Sequence, residues 1–470
     1  MRVVQSSWTS AAHGQGQRRI YRDFVVKHQG LASLPQTYHL RIRASYRDCS
    51  CARIHVLMAL QMGSSQQEEV MRKGYAAAFE AHTVFLTGST GSLGGCLLYK
   101  LALQLPTRKI FVLVRESSEM AVRKWKRSMP GQTQALLGSG KIHFVIGDIR
   151  QPDLGIDSAS LKSLKAEVTL IIHTAAKISL DSDITEALEN NCFPSLELAR
   201  LASSFRRLKL FIQLSTAYAN SFLPDGHIGE RLYDLSDVDC EEEIASIKQS
   251  GQSPHTSRFS SSYTHSKHLM ERLLLKRYPT LPLLFVRPTI FARALRHPYP
   301  LYGLDGSHPM DKFADLLISD RGGKQTWHAT EGYESGANIL DEIPVDFVAN
   351  ACLLHAAAKT RGIVQIGSEL YVQRTYDDFL NLLRDHAPPE IREQFPEIIF
   401  VQDRNIPQHW LADLVKVASR NWVFDCARSY WLKQVGGPLS LAACEHDADR
   451  LIIARIEDVY KKHMRRMAKL

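Results

Sequence analysis

The feature that most constrains this chain is the stretch Thr87-Gly88-Ser89-Thr90-Gly91-Ser92-Leu93-Gly94. It follows a short apolar run, Thr83–Thr87 (TVFLT). It opens a segment whose Leu93, Leu97, Leu98 and Leu101 fall on one helical stripe. Glycines at such a strand-to-helix turn let the backbone reverse sharply. They also let a pyrophosphate approach the unpaired N–H groups and positive dipole end of the helix. The spacing is GxxGxxG rather than the more familiar GxGxxG, and a glycine-rich turn with no ligand is the plain alternative. Placement between strand and helix favours the nucleotide. Gly88, Thr90, Gly91, Ser92, Leu93 and Gly94 are therefore candidate cofactor contacts.

The alternation continues downstream. Lys109–Arg115 (KIFVLVR), Lys141–Ile146, Val168–Ile172, Leu208–Leu214 and Leu283–Val286 read as apolar strands. Ser92–Leu105, Ile184–Phe205 and Tyr263–Arg277 read as helices between them. Strands that are apolar throughout, separated by helices, predict the α/β class: a Rossmann-type doubly wound parallel sheet covered on both faces. Beyond Arg287 the pattern changes. His297–Gly306 (HPYPLYGLDG) reads as loop and Asp346–Lys359 as helix. Gln373–Leu470 reads as mostly helical, ending in a basic amphipathic stretch, Arg450–Lys469. The expected organisation is a disordered leader over 1–80, a nucleotide- and substrate-binding domain over 81–370, and a helical C-terminal region over 371–470. The smaller substrate-binding part is drawn from about 220–262 and 290–370.

The net charge of +9 is unevenly placed: residues 1–80 hold 11 basic and 5 acidic residues, so the body is almost balanced. No clustered basic stripe of the kind a nucleic-acid partner needs is visible. Residues 1–80 show no sustained helical or strand period. A disordered tail or a mis-assigned start of the reading frame is preferred there over a transit peptide. The 8 cysteines include no CxxC pair, which argues against a disulfide scaffold and against a zinc site; buried thiols in a reducing compartment are expected. No apolar run nears the roughly 20 residues of a spanning helix. The expected location is the cytoplasm. The C-terminal basic helix is read as packed on the body, with peripheral membrane contact as the lesser alternative.

Several residues carry chemistry. A dinucleotide-binding unit that takes NADH usually ends its second strand with an acid for the ribose hydroxyls. This chain has Arg115 there, which suits a 2′-phosphate and favours NADPH. Arg123, one or two helical turns on, could assist; Glu116 could oppose; a merely solvated strand end is the alternative. Asp148, with Ile149 beside it after the third strand, could receive the adenine amino group, or be a turn aspartate. Ser215-Thr216 sits just past a strand, where open α/β sheets bind ligands. Tyr263 and Lys267, four apart, share a helical face. The Lys267 ammonium is expected to draw the phenol down from about 10, so that Tyr263 can serve as general acid to a carbonyl. A YxxxK match alone is expected by chance; its weight comes from its order after the glycine loop and the strand-end hydroxyl. His265 is one step off that face, and His82 and His173 lie at strand ends; all three read as structural.

TGSTGSLG, IHTAA (Ile172–Ala176), LSTAYAN (Leu214–Asn220), YTHSK, VRPTI (Val286–Ile290) and IPVDFVAN (Ile343–Asn350), in this order, resemble the extended short-chain dehydrogenases/reductases. Among these they are most similar to the fatty acyl-CoA reductases, or male-sterility family, with the related thioester reductase domains. The resemblance covers residues 83–360; Asn421–Asp425 (NWVFD) resembles that family's C-terminal domain more faintly. It implies Tyr263 as proton donor and Lys267 as the group that lowers its pKa and holds the nicotinamide ribose. It implies Thr216 as hydrogen-bond donor to the substrate carbonyl, with Ser215 the lesser alternative. Ala175, Ala176, Asn191, Pro288 and Thr289 would line the cofactor. Pro194 stands where the family has glycine after Asn191, and Ser92 where an aromatic often follows the second glycine. The implied activity is NADPH-dependent reduction of a long-chain acyl-CoA through an aldehyde to a primary alcohol. An aldehyde-releasing reductase of a carrier-bound or aryl thioester is the alternative. A non-catalytic NADP sensor is a third, disfavoured because Thr216, Tyr263 and Lys267 are all retained. A sugar-nucleotide epimerase or hydroxysteroid dehydrogenase is disfavoured by IPVDFVAN.

Overall fold

The computed structural model describes residues 2–11, 19–27, 37–43 and 65–468, apart from 180, 236–238, 321 and 415–418. Residues 1–63 and 64–470 form two compact units. In the first, Arg2–Ala11, Arg19–Lys27 and Thr37–Arg43 pair as an antiparallel three-stranded sheet, where the sequence shows no sustained period. Cys49 and Cys51 lie outside the described residues.

The second unit is built on a seven-stranded sheet. Its strands are β1 (Thr83–Thr87), β2 (Lys109–Val114), β3 (Ile142–Ile146), β4 (Leu170–His173), β5 (Leu210–Leu214), β6 (Leu283–Pro288) and β7 (Gly362–Ile366). All pairings are parallel and the order is β7-β6-β5-β4-β1-β2-β3. The doubly wound sheet read from the sequence is thus present, with its switch point at β1. The uniformly apolar strands follow from burial on both faces. Val84, Leu86, Val112, Ile172 and Ile212 enter one core cluster, while Phe85, Phe111, Ile171 and Phe211 enter another on the opposite face.

Three boundaries differ from the sequence reading, each for a local reason. The helix expected over Ile184–Phe205 is two helices, Ile184–Asn191 and Phe193–Ala202, broken at Cys192. Pro194 has no N–H to continue the first helix, but is well placed to start the second. The compact body begins near Ser65 rather than at His82. The helices Ser65–Lys73 and Ala76–Glu80 bury Val70 and Phe79, and the Leu439 amide donates to the Tyr75 hydroxyl at 3.2 Å. The C-terminal hundred residues carry, beside their helices, short strands that pair with earlier parts of the chain. Glu397–Val401 pairs with Lys324–His328, and Trp422–Phe424 pairs with Gly226–Ile228, the strand that follows the Thr216 region. Short strands like these carry little periodicity of their own and are fixed by distant partners.

The last helix, Glu445–Met467, buries Ile452, Ile456, Val459 and Tyr460 in one apolar cluster with Met310, Phe313 and Phe379. Arg455, only 2% exposed, bonds Glu342 (2.7 and 2.8 Å) and Asp311 (2.9 Å). The apolar face of this helix is therefore turned inward, in line with the reading that packs it on the body. Among the described residues no helix is long and apolar enough to cross a membrane.

Candidate active site

The glycine loop joins β1 to the helix Ser92–Tyr99 at the carboxyl edge of the sheet. Gly88 has φ +76°, and a Cβ there would lie 2.6 Å from Thr174 Oγ1 and 2.7 Å from the Ala175 nitrogen. A Cβ on Gly94 would run into the Gly88 carbonyl. The loop is thus packed so closely against the β4 end that only glycine fits at either position. The helix begins at Gly91 with no side-chain cap, so its first-turn N–H groups remain available to an anion. The Ser89 hydroxyl is buried in the loop without a hydrogen-bond partner. These features fit a dinucleotide pyrophosphate.

Ser92 differs from expectation in one respect. Its hydroxyl accepts from the Leu304 amide at 3.1 Å and lies 2.9 Å from Ser307 Oγ, so it fastens the 297–307 loop rather than facing the cofactor edge. Leu93 is core, 6% exposed, and Thr90 is half-buried.

At the end of β4, His173 Nδ1 and Thr87 Oγ1 are 2.7 Å apart, and the Thr174 hydroxyl donates to the Thr87 carbonyl at 2.8 Å. Burial, with Lys267 nearby, pushes His173 down to about 3 and keeps the ring neutral. Its work is structural, as read. Asn191 accepts from the Lys177 amide at 2.9 Å and donates to the Lys177 carbonyl at 3.1 Å. The helix break at Cys192 leaves Asn191 in place, clamping the segment that carries Ala175 (half-buried) and Ala176 (exposed). Both of its amide groups are thereby engaged by the backbone. Thr289 follows β6 and Pro288; its amide donates to the Ile366 carbonyl at 3.1 Å.

Ser215 and Thr216 leave β5 at the same edge. Thr216 Oγ1 accepts from the Tyr218 amide at 3.3 Å, while Ser215 Oγ is buried without a partner. The helix Ser262–Arg277 is started by a capping box: Thr264 N donates to Ser261 Oγ (3.3 Å), and Ser261 N to Thr264 Oγ1 (3.2 Å). This puts Tyr263 in the first turn and Lys267 one turn deeper. Lys267 Nζ donates to the Leu214 carbonyl at 3.0 Å, which ties the Tyr263 helix to the strand end carrying Ser215-Thr216. One more turn on, Glu271 forms a fully buried bidentate pair with Arg287 of β6.

The electrostatics correct one expectation. Lys267 Nζ is 6.0 Å from the Tyr263 ring centroid and is turned to the Leu214 carbonyl. Burial raises the Tyr263 phenol above its ordinary value, and the lysine does not draw it down. Burial likewise lowers Lys267 to about 8, partly offset by Glu271. A phenol with a raised pKa keeps its proton at neutral pH, which suits an acid more than a base.

At the adenosine side, Arg115 and Arg123 are both exposed, and among the described residues no hydrogen bond or ion pair joins them. Arg123 Nη1 lies 3.7 Å from the Met120 sulfur. Glu116, the acid that could have opposed a phosphate, sits 3.9 Å from Lys124. Asp148 accepts from Arg150 Nε (3.2 Å), Nη2 (2.8 Å) and N (3.0 Å). Arg150 was not singled out in the sequence, although its spacing two residues after a turn aspartate was a signal. Ile149 packs against the apolar cluster beneath.

His265 is fully buried, with Nε2 3.0 Å from Glu243 and Nδ1 3.1 Å from Thr256, and it stacks on Phe259 at 4.3 Å. It is structural, as expected.

The model of the NAD-binding family described as "Male sterility protein" matches residues 86–352. A probable fatty acyl-CoA reductase 5 of Arabidopsis thaliana is 27% identical over 326 residues, covering 60% of this chain and 64% of the relative. Fatty acyl-CoA reductase 1 of Xenopus laevis is also 27% identical, covering 61% of this chain and 56% of the relative. The chain thus spans between about half and two thirds of these relatives' length. The terminal R domain from the myxalamid PKS-NRPS biosynthetic pathway superposes with TM-score 0.54 at 20% identity, over 83% of this chain and 92% of that one. The reductase domain of a non-ribosomal peptide synthetase from Mycobacterium tuberculosis does so with TM-score 0.53 at 18% identity, over 85% and 97%. At these identities the superpositions show a shared fold. With more than half of its length matched by one family model, the chain belongs to the male sterility family of NAD-binding proteins.

Proposed function

We propose that this chain is an NADPH-dependent reductase of long-chain acyl-CoA thioesters that forms a primary alcohol through an aldehyde. The observation that supports the reading is the bond from Lys267 to the Leu214 carbonyl, which ties the helix carrying Tyr263 to the strand that leads into Ser215 and Thr216. The similarity to the fatty acyl-CoA reductases supports the substrate class. NADPH, when bound, supplies hydride to the thioester carbonyl carbon. The glycine loop would hold its pyrophosphate, and Arg115 its 2′-phosphate.

The residues of the chain do the rest. The Thr216 hydroxyl hydrogen is free to donate, because its oxygen accepts from Tyr218; Ser215 Oγ offers a second donor. Thr216 and Tyr263 hold the carbonyl oxygen as negative charge develops. Tyr263 gives its proton to that oxygen; as the C–S bond breaks and thiolate leaves, the same oxygen returns the proton to the phenolate, which leaves the aldehyde and restores the phenol for the second reduction. A second hydride and the same proton donor convert the aldehyde to the alcohol. Lys267, still charged below about pH 8, would hold the nicotinamide ribose and keeps the Tyr263 helix on the strand end.

The test is product analysis. Purified protein is incubated with NADPH or NADH and with acyl-CoAs of several chain lengths, or the same acyl groups on a carrier protein. Alcohol from acyl-CoA with NADPH is expected. Aldehyde alone, from carrier-bound substrate only, would favour the aldehyde-releasing alternative. Cofactor binding with no product would leave the NADP sensor.

A further inference from the structure

The helix Ser92–Tyr99 starts without a cap of its own, because Gly91 has no side chain to bond the first-turn amides. A Ser, Thr, Asp or Asn in that place would fix the first turn, but by taking an amide that an anion needs. Here the first turn is held from outside, by the loop 295–307.

That loop is itself anchored. The buried Asp346 carboxylate, from IPVDFVAN, accepts from the amides of Leu295 (3.0 Å), Arg296 (2.9 Å) and His297 (3.1 Å). The Ala294 amide donates to the Tyr302 carbonyl and the Leu301 amide to the Ala294 carbonyl, both at 2.9 Å, which closes the neck of the loop. Beyond the neck the chain lies against the glycine helix. The buried Tyr302 hydroxyl oxygen is 3.5 Å from the Gly91 carbonyl oxygen, and a Cβ on Gly95 would lie 2.2 Å from that hydroxyl. Gly95, which the nucleotide motif does not call for, thus makes room for this tyrosine.

Two serines complete the join. The Leu304 amide donates to Ser92 Oγ at 3.1 Å. Ser307 Oγ donates to the Leu304 carbonyl at 2.7 Å and lies 2.9 Å from Ser92 Oγ. A hydroxyl has one hydrogen to give, so the Ser92 hydrogen goes to Ser307. Ser92 therefore commits its side chain to the loop and takes none of the first-turn N–H groups. A turn held in this way keeps its amides aimed together, and a pyrophosphate that needs several of them at once gains from that preorganisation.

We infer that Ser92 is a positioning residue for the dinucleotide pyrophosphate: through Leu304 and Ser307 it holds the first helical turn as an N-cap would, without using the turn's donors. The inference rests on the reading that seats the pyrophosphate at this loop, and it is independent of the acyl substrate.

The experiment measures equilibrium binding and needs no turnover. NADPH is titrated by its fluorescence. ADP-ribose, which keeps the pyrophosphate, and 2′-AMP, which lacks it, are titrated by displacement of NADPH. Wild type, Ser92→Ala, Ser307→Ala and Gly94→Ala are compared. Both serine variants should weaken NADPH and ADP-ribose together, about 3- to 10-fold, the range of one lost hydrogen bond, and leave 2′-AMP within about twofold. Ser307→Ala is the deciding arm, because its hydroxyl meets the helix at Ser92. Unchanged NADPH binding by Ser92→Ala overturns the inference. So does a loss that Ser307→Ala does not share, which would make Ser92 a direct contact. An equal loss for 2′-AMP overturns it too, because that marks a general loosening of the fold. If Gly94→Ala binds NADPH as wild type does, the pyrophosphate is not at this loop, and the reading and the inference fall together. If Gly94→Ala fails to bind while both serine variants bind as wild type does, only the role of Ser92 falls.

Discussion

The Glu271–Arg287 pair offers the most demanding check on how the proposed catalytic helix is held. Both side chains are fully buried. Arg287 bonds Glu271 through two nitrogens and the Arg231 carbonyl through the third, at 2.9 Å. Replacing Glu271 by glutamine leaves the guanidinium charge uncompensated in the core, which costs about 3–5 kcal/mol. Replacing both partners together, Glu271→Leu with Arg287→Met, removes the need for compensation and should cost only about 1–2 kcal/mol. Denaturant unfolding of the two single variants and the double variant measures this. A second readout comes from Lys267, whose ammonium Glu271 supports from one turn away. Without that carboxylate, burial should lower Lys267 below about 8, and the alkaline limb of the kcat profile should move to lower pH. Singles that lose less than about 1 kcal/mol, or a double variant worse than both, would refute the packing argument. An unmoved alkaline limb would refute the electrostatic one.

Other outcomes follow from the same geometry. Tyr263→Phe should lower turnover about 10²- to 10⁴-fold while leaving the nucleotide dissociation constant nearly unchanged, as measured by rate and by fluorescence titration. For wild type, kcat for acyl reduction should fall as pH rises through about 8, because Lys267 loses its charge there; a flat profile from 6 to 10 would contradict this. Gly94→Ala should abolish nucleotide binding, because its Cβ meets the Gly88 carbonyl. Gly138→Ala, in a short exposed helix with nothing within 4 Å, should bind normally and serve as control. Removing residues 1–63 should preserve activity. Removing 1–81 should lower the melting temperature by several degrees, because Phe79 and the Tyr75 contact with Leu439 go with it.

The sheet was legible because its inner strands are buried on both faces and write that burial as nearly continuous apolar runs; the edge strand Ile142–Ile146 is only partly buried. The glycine loop was legible because close backbone approach leaves no residue choice at Gly88 and Gly94. Local chemistry read alone was less reliable. The spacing of Tyr263 and Lys267 gave their shared face but not the direction of the ammonium, which the Leu214 carbonyl sets from a strand fifty residues earlier. The two-pronged bond that Asp148 makes with Arg150, two residues on, was not read from the spacing. Ser92 looked like a phosphate contact, yet Leu304 and Ser307 take its hydroxyl. The short C-terminal strands left no trace in periodicity, because what makes them strands is a partner far away in the chain.

That distance matters for how the protein comes into being. Gly226–Ile228 lies just downstream of Thr216, and its partner Trp422–Phe424 closes the pairing with Asn421 bonding Asp225 from 196 positions away. A ribosome releases the glycine loop, the hydroxyl pair and the tyrosine helix long before it releases that partner. The nascent chain therefore waits with an unpaired edge beside its future reaction centre. Premature termination between Ile290 and Asn421 would yield a polypeptide holding every residue to which chemistry is ascribed here and lacking the strand that closes their surroundings.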